Sequence, residues 1–267
     1  MEKIKLLQRA NRSRQIDTIF RKCPPKAFNK GLELGAGDGF QSALIANYVN
    51  HLTCTELNEE RLSPNSNLLN VHYMIMDAET VKEKFPVQSF DLVFSSNLME
   101  HLPNVEICFT GIHRVLQDQG IVIHSMPTTW WRFFTSLFHY PALFISLLNR
   151  LGKNNSKRAV NPKGNNLKQN RSTLSLWKKV LIPKPHGVSS NIFSEHFAFK
   201  KKKWVNLFDK TGFEIIRIKN GPVSAGGGYQ LGFQKLAPIL EKWGIATEYI
   251  YIAKKKDSES TYTNYFR

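Results

Sequence analysis

Acidic residues are scarce in this 267-residue chain, 21 Asp and Glu against 37 Lys and Arg, and the shortage is local. Between Thr128 and Lys203 there are 15 basic residues and one acid, Glu195, a net +14 of the chain's +16. Elsewhere the charge is nearly balanced, so one segment carries the electrostatic message. Cysteine is also sparse. Cys23, Cys54 and Cys108 are widely spaced and form no C-x-x-C pair, which excludes a disulfide framework or a zinc ribbon and favours a reducing compartment. The opening residues, Met1 to Gln8, hold no apolar run of signal-peptide length. The longest aromatic and aliphatic stretch, Phe133–Leu148, is interrupted by His139 and Pro141 and falls short of the ~20 residues a membrane span needs. No internal repeat is present. Apolar content of 42% then points to a globular domain of ordinary size with room for an insertion.

What is there is organised around Gly31-Leu-Glu-Leu-Gly-Ala-Gly-Asp-Gly-Phe40. It reads as a buried strand (Gly31–Leu34), a glycine turn (Gly35–Gly39) and the start of a helix, the first βα turn of a nucleotide-binding α/β domain. The third glycine comes one residue early for a dinucleotide fingerprint, and Glu33 sits two residues before the first. A carboxylate beside the turn suits a ligand with an ammonium or sulfonium. The following helix N-terminus suits that ligand's carboxylate.

The acid followed by Gly-x-Gly-x-Gly resembles the first motif of class I S-adenosylmethionine-dependent methyltransferases. Further strands follow in the same order. Helix one is expected over Phe40–Val49. Strand two, Leu52–Leu57, ends in Glu56 and Leu57, where an acid can accept hydrogen bonds from both ribose hydroxyls. Strand three, Val71–Met76, is followed by Asp77 and Ala78. The resemblance places Asp77 at the adenine amino group, and the bare residue reads equally as a helix N-cap. Strand four, Phe90–Ser95, runs into Ser96-Asn97-Leu98-Met99-Glu100-His101-Leu102-Pro103. That stretch resembles the fourth motif of the ubiquinone/menaquinone-biosynthesis type. A helix over Val105–Leu116 and strand five, Gly120–Pro127, come next. The pattern resumes with a helix over Lys203–Phe213, strand six (Glu214–Ile218), an apolar helix over about Phe233–Trp243 and strand seven (Glu248–Ala253).

The resemblance implies an α/β fold: a Rossmann-like seven-stranded, mostly parallel sheet with helices on both faces, its last strand antiparallel, plus an inserted helical and loop cap. It implies S-adenosyl-L-methionine as cofactor, held by Glu33, Gly35, Ala36, Gly37, Gly39, Glu56, Leu57, Asp77, Ala78, Ser95 and Asn97. The expected domains are a helical lead (1–29), packed beside the sheet or serving as a substrate lid, a methyltransferase core (30–127 and 201–256), an inserted basic, aromatic substrate cap (128–200) and a flexible tail (257–267).

His101 is the first candidate base, just beyond strand four; His186 and His196 are weaker ones. Some quinone-pathway O-methyltransferases of the type this chain resembles hold a divalent metal with E-x-x-E-H, but the first position here is Asn97, so no metal is expected. The Asn/Asp-Pro-Pro-aromatic motif of many nucleic-acid amino-methyltransferases is missing, which favours an oxygen or carbon acceptor. The insertion opens with Trp130-Trp131-Arg132-Phe133-Phe134 and continues into an Asn-, Lys- and Ser-rich stretch, Lys153–Lys179. Paired tryptophans and basic residues suit an anionic membrane surface. The expected protein is therefore cytoplasmic or peripheral on the inner face of the membrane, with a small-molecule or lipid-linked acceptor. Nucleic acid is the rival partner, and a non-catalytic cofactor-binding protein the rival class.

Overall fold

The computed structural model describes residues 2–62, 68–138, 141, 199–224, 228 and 232–267. Most of the expected insertion, including Lys153–Lys179, His186 and His196, lies outside the described residues.

Seven strands form one sheet: β1 (Phe28–Leu34), β2 (Val49–Glu56), β3 (Val71–Ile75), β4 (Phe90–Ser96), β5 (Leu116–Pro127), β6 (Phe213–Asn220) and β7 (Glu248–Lys255). Their order is β3-β2-β1-β4-β5-β7-β6. The pairs among β1 to β5 are parallel, and β7 runs antiparallel between β5 and β6. The expected Rossmann-like, mostly parallel sheet with an antiparallel last strand is what the chain forms.

The strands read as continuous apolar runs because both faces are covered. Val93, Val122, Tyr251 and Ala253 face one core, and their neighbours Leu92, Phe94, Ile121, Ile123 and Ile252 face the other. The first core is closed by α3 (Val81–Lys84), α4 (Val105–Val115) and, further along the chain, α6 (Lys201–Lys210). Phe109 of α4 and Phe208 of α6 meet edge to face with centroids 5.0 Å apart. The second core is closed by α1 (Glu2–Phe20), which contributes Ile16, Ile19 and Phe20, and by α2 (Phe40–Ile45). The helical lead thus packs against the sheet.

Several boundaries differ from expectation. Helix one stops at Ile45, and Val49 instead opens β2, paired with Phe28. The intervening turn is closed by the Lys26 ammonium, which donates to the carbonyls of Ala46 and Val49. β5 begins directly after α4, at Leu116. The expected helix near 233–243 divides into a 3-10 turn (Phe233–Lys235) and α7 (Ala237–Lys242), with Pro238 in the first turn, where its missing N–H costs no hydrogen bond.

The tail is the largest correction. Residues 257–267 were expected to be flexible, yet Thr261–Tyr265 form a 3-10 helix and Phe266 is fully buried in the second core. Tyr262 stacks on Phe28 (centroids 4.7 Å) and donates to Asp91 Oδ2 at 3.1 Å. Three aromatic rings within five residues give a polar segment enough buried area to hold it down.

Candidate functional site

A cleft of about 650 Å³ opens at the carboxyl ends of β1, β4 and β5, where doubly wound sheets place ligands. The glycine turn forms its floor. Gly35, Gly37 and Gly39 have φ of +73°, +58° and +73°, backbone that side chains rarely adopt. A Cβ on Gly35 would also press into Leu98 Cδ1 at 3.0 Å. Ala36, Gly37 and Asp38 line the cleft with Gly35.

Glu56, at the tip of β2, is buried and turned back onto this turn. Its Oε2 accepts the Gly37 N–H at 2.9 Å, and its Oε1 accepts those of Leu57 and Asn58 at 3.1 and 3.2 Å. Arg61 Nη1 stands 3.8 Å away. Asp77 caps the turn Ala78–Thr80 by accepting the Glu79 N–H at 2.9 Å. Leu57 is exposed beyond β2, and Ala78 is buried against the first core.

Glu33 is not brought to the cleft. Leu32 and Leu34 face the first core, so strand alternation sends Glu33 to the other face. There its carboxylate accepts from Ser42 Oγ of α2 and, at 3.3 Å, from Cys54 Sγ. Burial pushes its pKa up to about 7. Ser95 is likewise turned inward, paired with His124 Nδ1 at 2.8 Å. Asn97 does line the cleft. It has a left-handed φ of 49°, and its N–H donates to Ser125 O at 2.8 Å.

His101 ends a 3-10 turn (Met99–His101) and lines the cleft beside Glu100. Burial and the Arg61 charge hold its imidazole below the ordinary histidine range. Burial pushes the Glu100 carboxyl up to about 8, the nearby Glu248 adds to this, and Arg12 opposes it. The two groups approach at 3.9 Å, each shifted toward its uncharged form.

The wall that α1 adds beside the glycine turn, where Arg9 pairs with Asp38 at 3.1 Å, escaped the sequence reading. Lys5, Gln8, Arg9 and Arg12 of α1 line the cleft at the i, i+3, i+4, i+7 spacing of one helix face. Arg12 Nη1 donates to Ser96 Oγ at 2.7 Å and lies 3.8 Å from Glu248 Oε2. With the Asn97 amide turned to satisfy its neighbours, its oxygen accepts from Arg12 Nη1 and Nη2 at 2.9 and 2.7 Å. Gln15 donates to Ser125 Oγ (2.6 Å), which donates to Glu248 (3.1 Å). The polar spacing on α1, and an acid opening the apolar run of β7, were the available signals.

Beyond β5, Thr128 caps helical residues 129–138, called α5. Its Oγ1 accepts the N–H groups of Trp130 and Trp131 at 3.2 and 3.4 Å. Trp131 lines the cleft and meets Phe199 edge to face at 6.1 Å. Among the described residues, no three of His, Cys, Asp and Glu gather as a metal site would need, and no helix is long and apolar enough to cross a membrane.

Residues 32–124 match a methyltransferase domain family. No curated protein matches the chain in sequence. Among solved structures, the chain is similar to an S-adenosylmethionine-dependent methyltransferase from Mesorhizobium loti (TM-score 0.52, 14% identity, covering 90% of this chain and 98% of that one). It is also similar to a protein from Listeria monocytogenes described as an enzyme of the same kind (TM-score 0.54, 13% identity, 94% and 99% covered). These likenesses show the fold. The glycine cradle and the buried carboxylate beside it suit the adenosyl and amino-acid parts of that cofactor, with hydrogen-bond acceptors at the tip of β2 and close backbone approach at the turn. The domain match lies over the part of the chain that carries this geometry, and the activity it indicates is that of an S-adenosylmethionine-dependent methyltransferase.

Proposed function

We propose that the enzyme methylates an oxygen or carbon of an apolar, lipid-linked small molecule at a membrane surface. The observation that carries this is the aromatic wall of the cleft. Trp131 faces inward, while Trp130 and Phe133 on the same helix stay exposed to solvent. One short helix thus joins the reaction cleft to an apolar surface. The small-molecule type is supported by the Asp91 to Pro103 pattern, which resembles quinone-pathway enzymes, and by the missing nucleic-acid motif.

In this reading the Gly35–Gly39 turn, with Ala36, takes the amino-acid end of S-adenosylmethionine. Glu56 and Leu57 would hold the ribose, Asp77 and Ala78 the adenine, and Asn97, with the β4 end that Ser95 anchors, would complete the cofactor site. When bound, the cofactor supplies an electrophilic methyl on a sulfonium. The residues of the chain position both reactants and exclude water. His101, uncharged and half-open to the cleft, accepts the proton of an acceptor hydroxyl.

The test uses methyl-labelled cofactor, purified protein and an extract of the source cell, with the product divided into lipid, RNA, protein and water-soluble pools. Label in the lipid pool is expected. Label confined to RNA would move the basic segment to phosphate contacts and remove the lipid acceptor. Label confined to the water-soluble pool would remove the membrane part.

A further inference from the structure

Two helices beside the cleft each leave an apolar ladder open to solvent. On α5 the ladder is Trp130, Phe133 and Leu137; across α7 and its flanks it is Leu236, Ile239 and Trp243. Both follow the i, i+3, i+7 spacing of one helix face. The helices are packed together through a small core of their own, Phe134, Val223, Phe233 and Ala237, with Phe138 and Leu240 against it. Phe233 meets Phe134 and Phe138 at centroid distances of 5.1 and 4.9 Å. Six large apolar side chains thus stay in water although an apolar core lies directly beneath them. Trp243 is 74% exposed and Phe133 53%.

The charge around the ladders has one sign. Phe199, against Trp131, is followed by Lys200–Lys203, all exposed, at the start of α6. Lys235 and Lys242 are exposed beside the second ladder. The acid within that stretch, Glu241, is engaged by Arg14 at 2.6 Å and by the Val223 N–H. Four lysines at a helix N-terminus oppose the helix dipole, which favours anions there. A neighbouring anionic surface relieves that opposition. Tryptophans with apolar side chains, ringed by lysines, are the composition that sits at a lipid headgroup boundary.

We propose that α5, α7 and the first turn of α6 form one docking face for an anionic lipid surface. The ladders enter the headgroup boundary and the six lysines meet its phosphates. This deepens the reading above by naming the partner, and rests on it only in taking the acceptor from the same membrane. The cleft would then open beside the lipid, because Trp131 and Trp130 are consecutive.

The experiment is sedimentation of the full chain with vesicles of equal parts phosphatidylcholine and phosphatidylglycerol, against vesicles of pure phosphatidylcholine, at low and high salt. S-adenosylhomocysteine binding is measured on the same preparations. The wild type should sediment with the mixed vesicles at low salt and at least tenfold less with the neutral ones. Tryptophan emission should shift to shorter wavelength on binding. The pair Trp130→Ser and Trp243→Ser should shrink that shift and lower vesicle binding at least tenfold. Replacing Lys200–Lys203 with glutamine should remove most of the salt dependence. All these positions are exposed, so the fold and S-adenosylhomocysteine affinity should not change. A wild type that stays in the supernatant, or variants that sediment as it does, would overturn the docking face while leaving the enzyme reading intact. Vesicle binding without any S-adenosylhomocysteine binding would uphold the face and break the reading of the cleft.

Discussion

The guanidinium of Arg12 donates to the hydroxyl of Ser96 at 2.7 Å, joining the first helix to the tip of the fourth strand across 84 residues of sequence. The same group reaches the Asn97 amide and faces Glu248. α1 is therefore a wall of the cofactor cleft as well as a cover for the sheet. A guanidinium has five N–H donors, so it can hold this corner and still meet a carboxylate. Arg12→Ala should weaken S-adenosylhomocysteine binding by roughly 1.5–3 kcal/mol, the range for hydrogen bonds to charged groups. It should leave 5′-methylthioadenosine, which lacks the amino-acid end, nearly unaffected. Calorimetry with the two ligands separates the cases: equal losses for both would mean that Arg12 only shapes the cleft.

Glu56 gives a second binding prediction. Its carboxylate already accepts three backbone N–H groups around the glycine turn. It serves both as the proposed ribose acceptor and as a tie for the turn. Glu56→Gln keeps the shape but loses the charge and one acceptor. A loss of roughly 1–3 kcal/mol in S-adenosylhomocysteine affinity is expected. The same loss should appear for 5′-methylthioadenosine, which retains the ribose, in contrast to Arg12→Ala. Unchanged affinity for both ligands would remove Glu56 from the ribose.

These two residues mark what was legible in the sequence. Glu56 was readable because the turn, β2 and its terminal acid follow one another along the chain. Arg12 was not, since its role needs residues 12, 96, 97 and 248 brought together by the sheet order. Glu33 was read from its place in a motif, but strand alternation, also present in the sequence, decides which way it points. Val49 fits a helix period from Ile45 as well as it fits a strand start. The turn between them holds neither glycine nor proline and is closed by the distant Lys26. The tail misled by its polarity, because average composition hid three rings that find partners on β1 and in the core.

Glu33 sets a pH dependence. Its folded pKa of about 7 lies above the 4.5 of an exposed carboxyl, owing to burial. Below pH 4.5 the group is protonated in both folded and unfolded chains, and its contribution to stability is fully present. Between 4.5 and 7 the unfolded chain releases the proton first, so stability falls as pH rises. The loss approaches roughly 3 kcal/mol above pH 7, at ~1.4 kcal/mol per unit. Glu100, with a pKa of about 8, adds to the same slope. Denaturant unfolding at pH 5 and pH 8 should show this decline. Glu33→Gln should flatten it and make the protein more stable at pH 8 than the wild type. Buried His124, held at a pKa of about 3, opposes this slope below pH 6.5 in both proteins, so a Glu33→Gln variant with the same pH dependence as the wild type would contradict the assignment.

The docked tail yields the plainest stability test. Phe266 lies fully buried among residues of the second core. Lys219 Nζ stands 5.8 Å from its ring centroid, and Tyr262 and Tyr265 pack against the same core. A frayed terminus would tolerate Phe266→Ala at almost no cost. A closed core does not: truncating a buried phenylalanine typically costs about 3–5 kcal/mol, the lost transfer energy plus the cavity left behind. The effect should appear as a lower denaturant midpoint with little change in S-adenosylhomocysteine affinity, since Phe266 does not line the cleft. Tyr262→Phe, which removes only the hydrogen bond to Asp91, should cost about 1 kcal/mol. Asp91 would still accept the N–H groups of Asn29 and Lys30 at 2.7 and 3.0 Å, so no buried acceptor is stranded. If both variants unfold at the wild-type midpoint, the tail is held by something other than these rings.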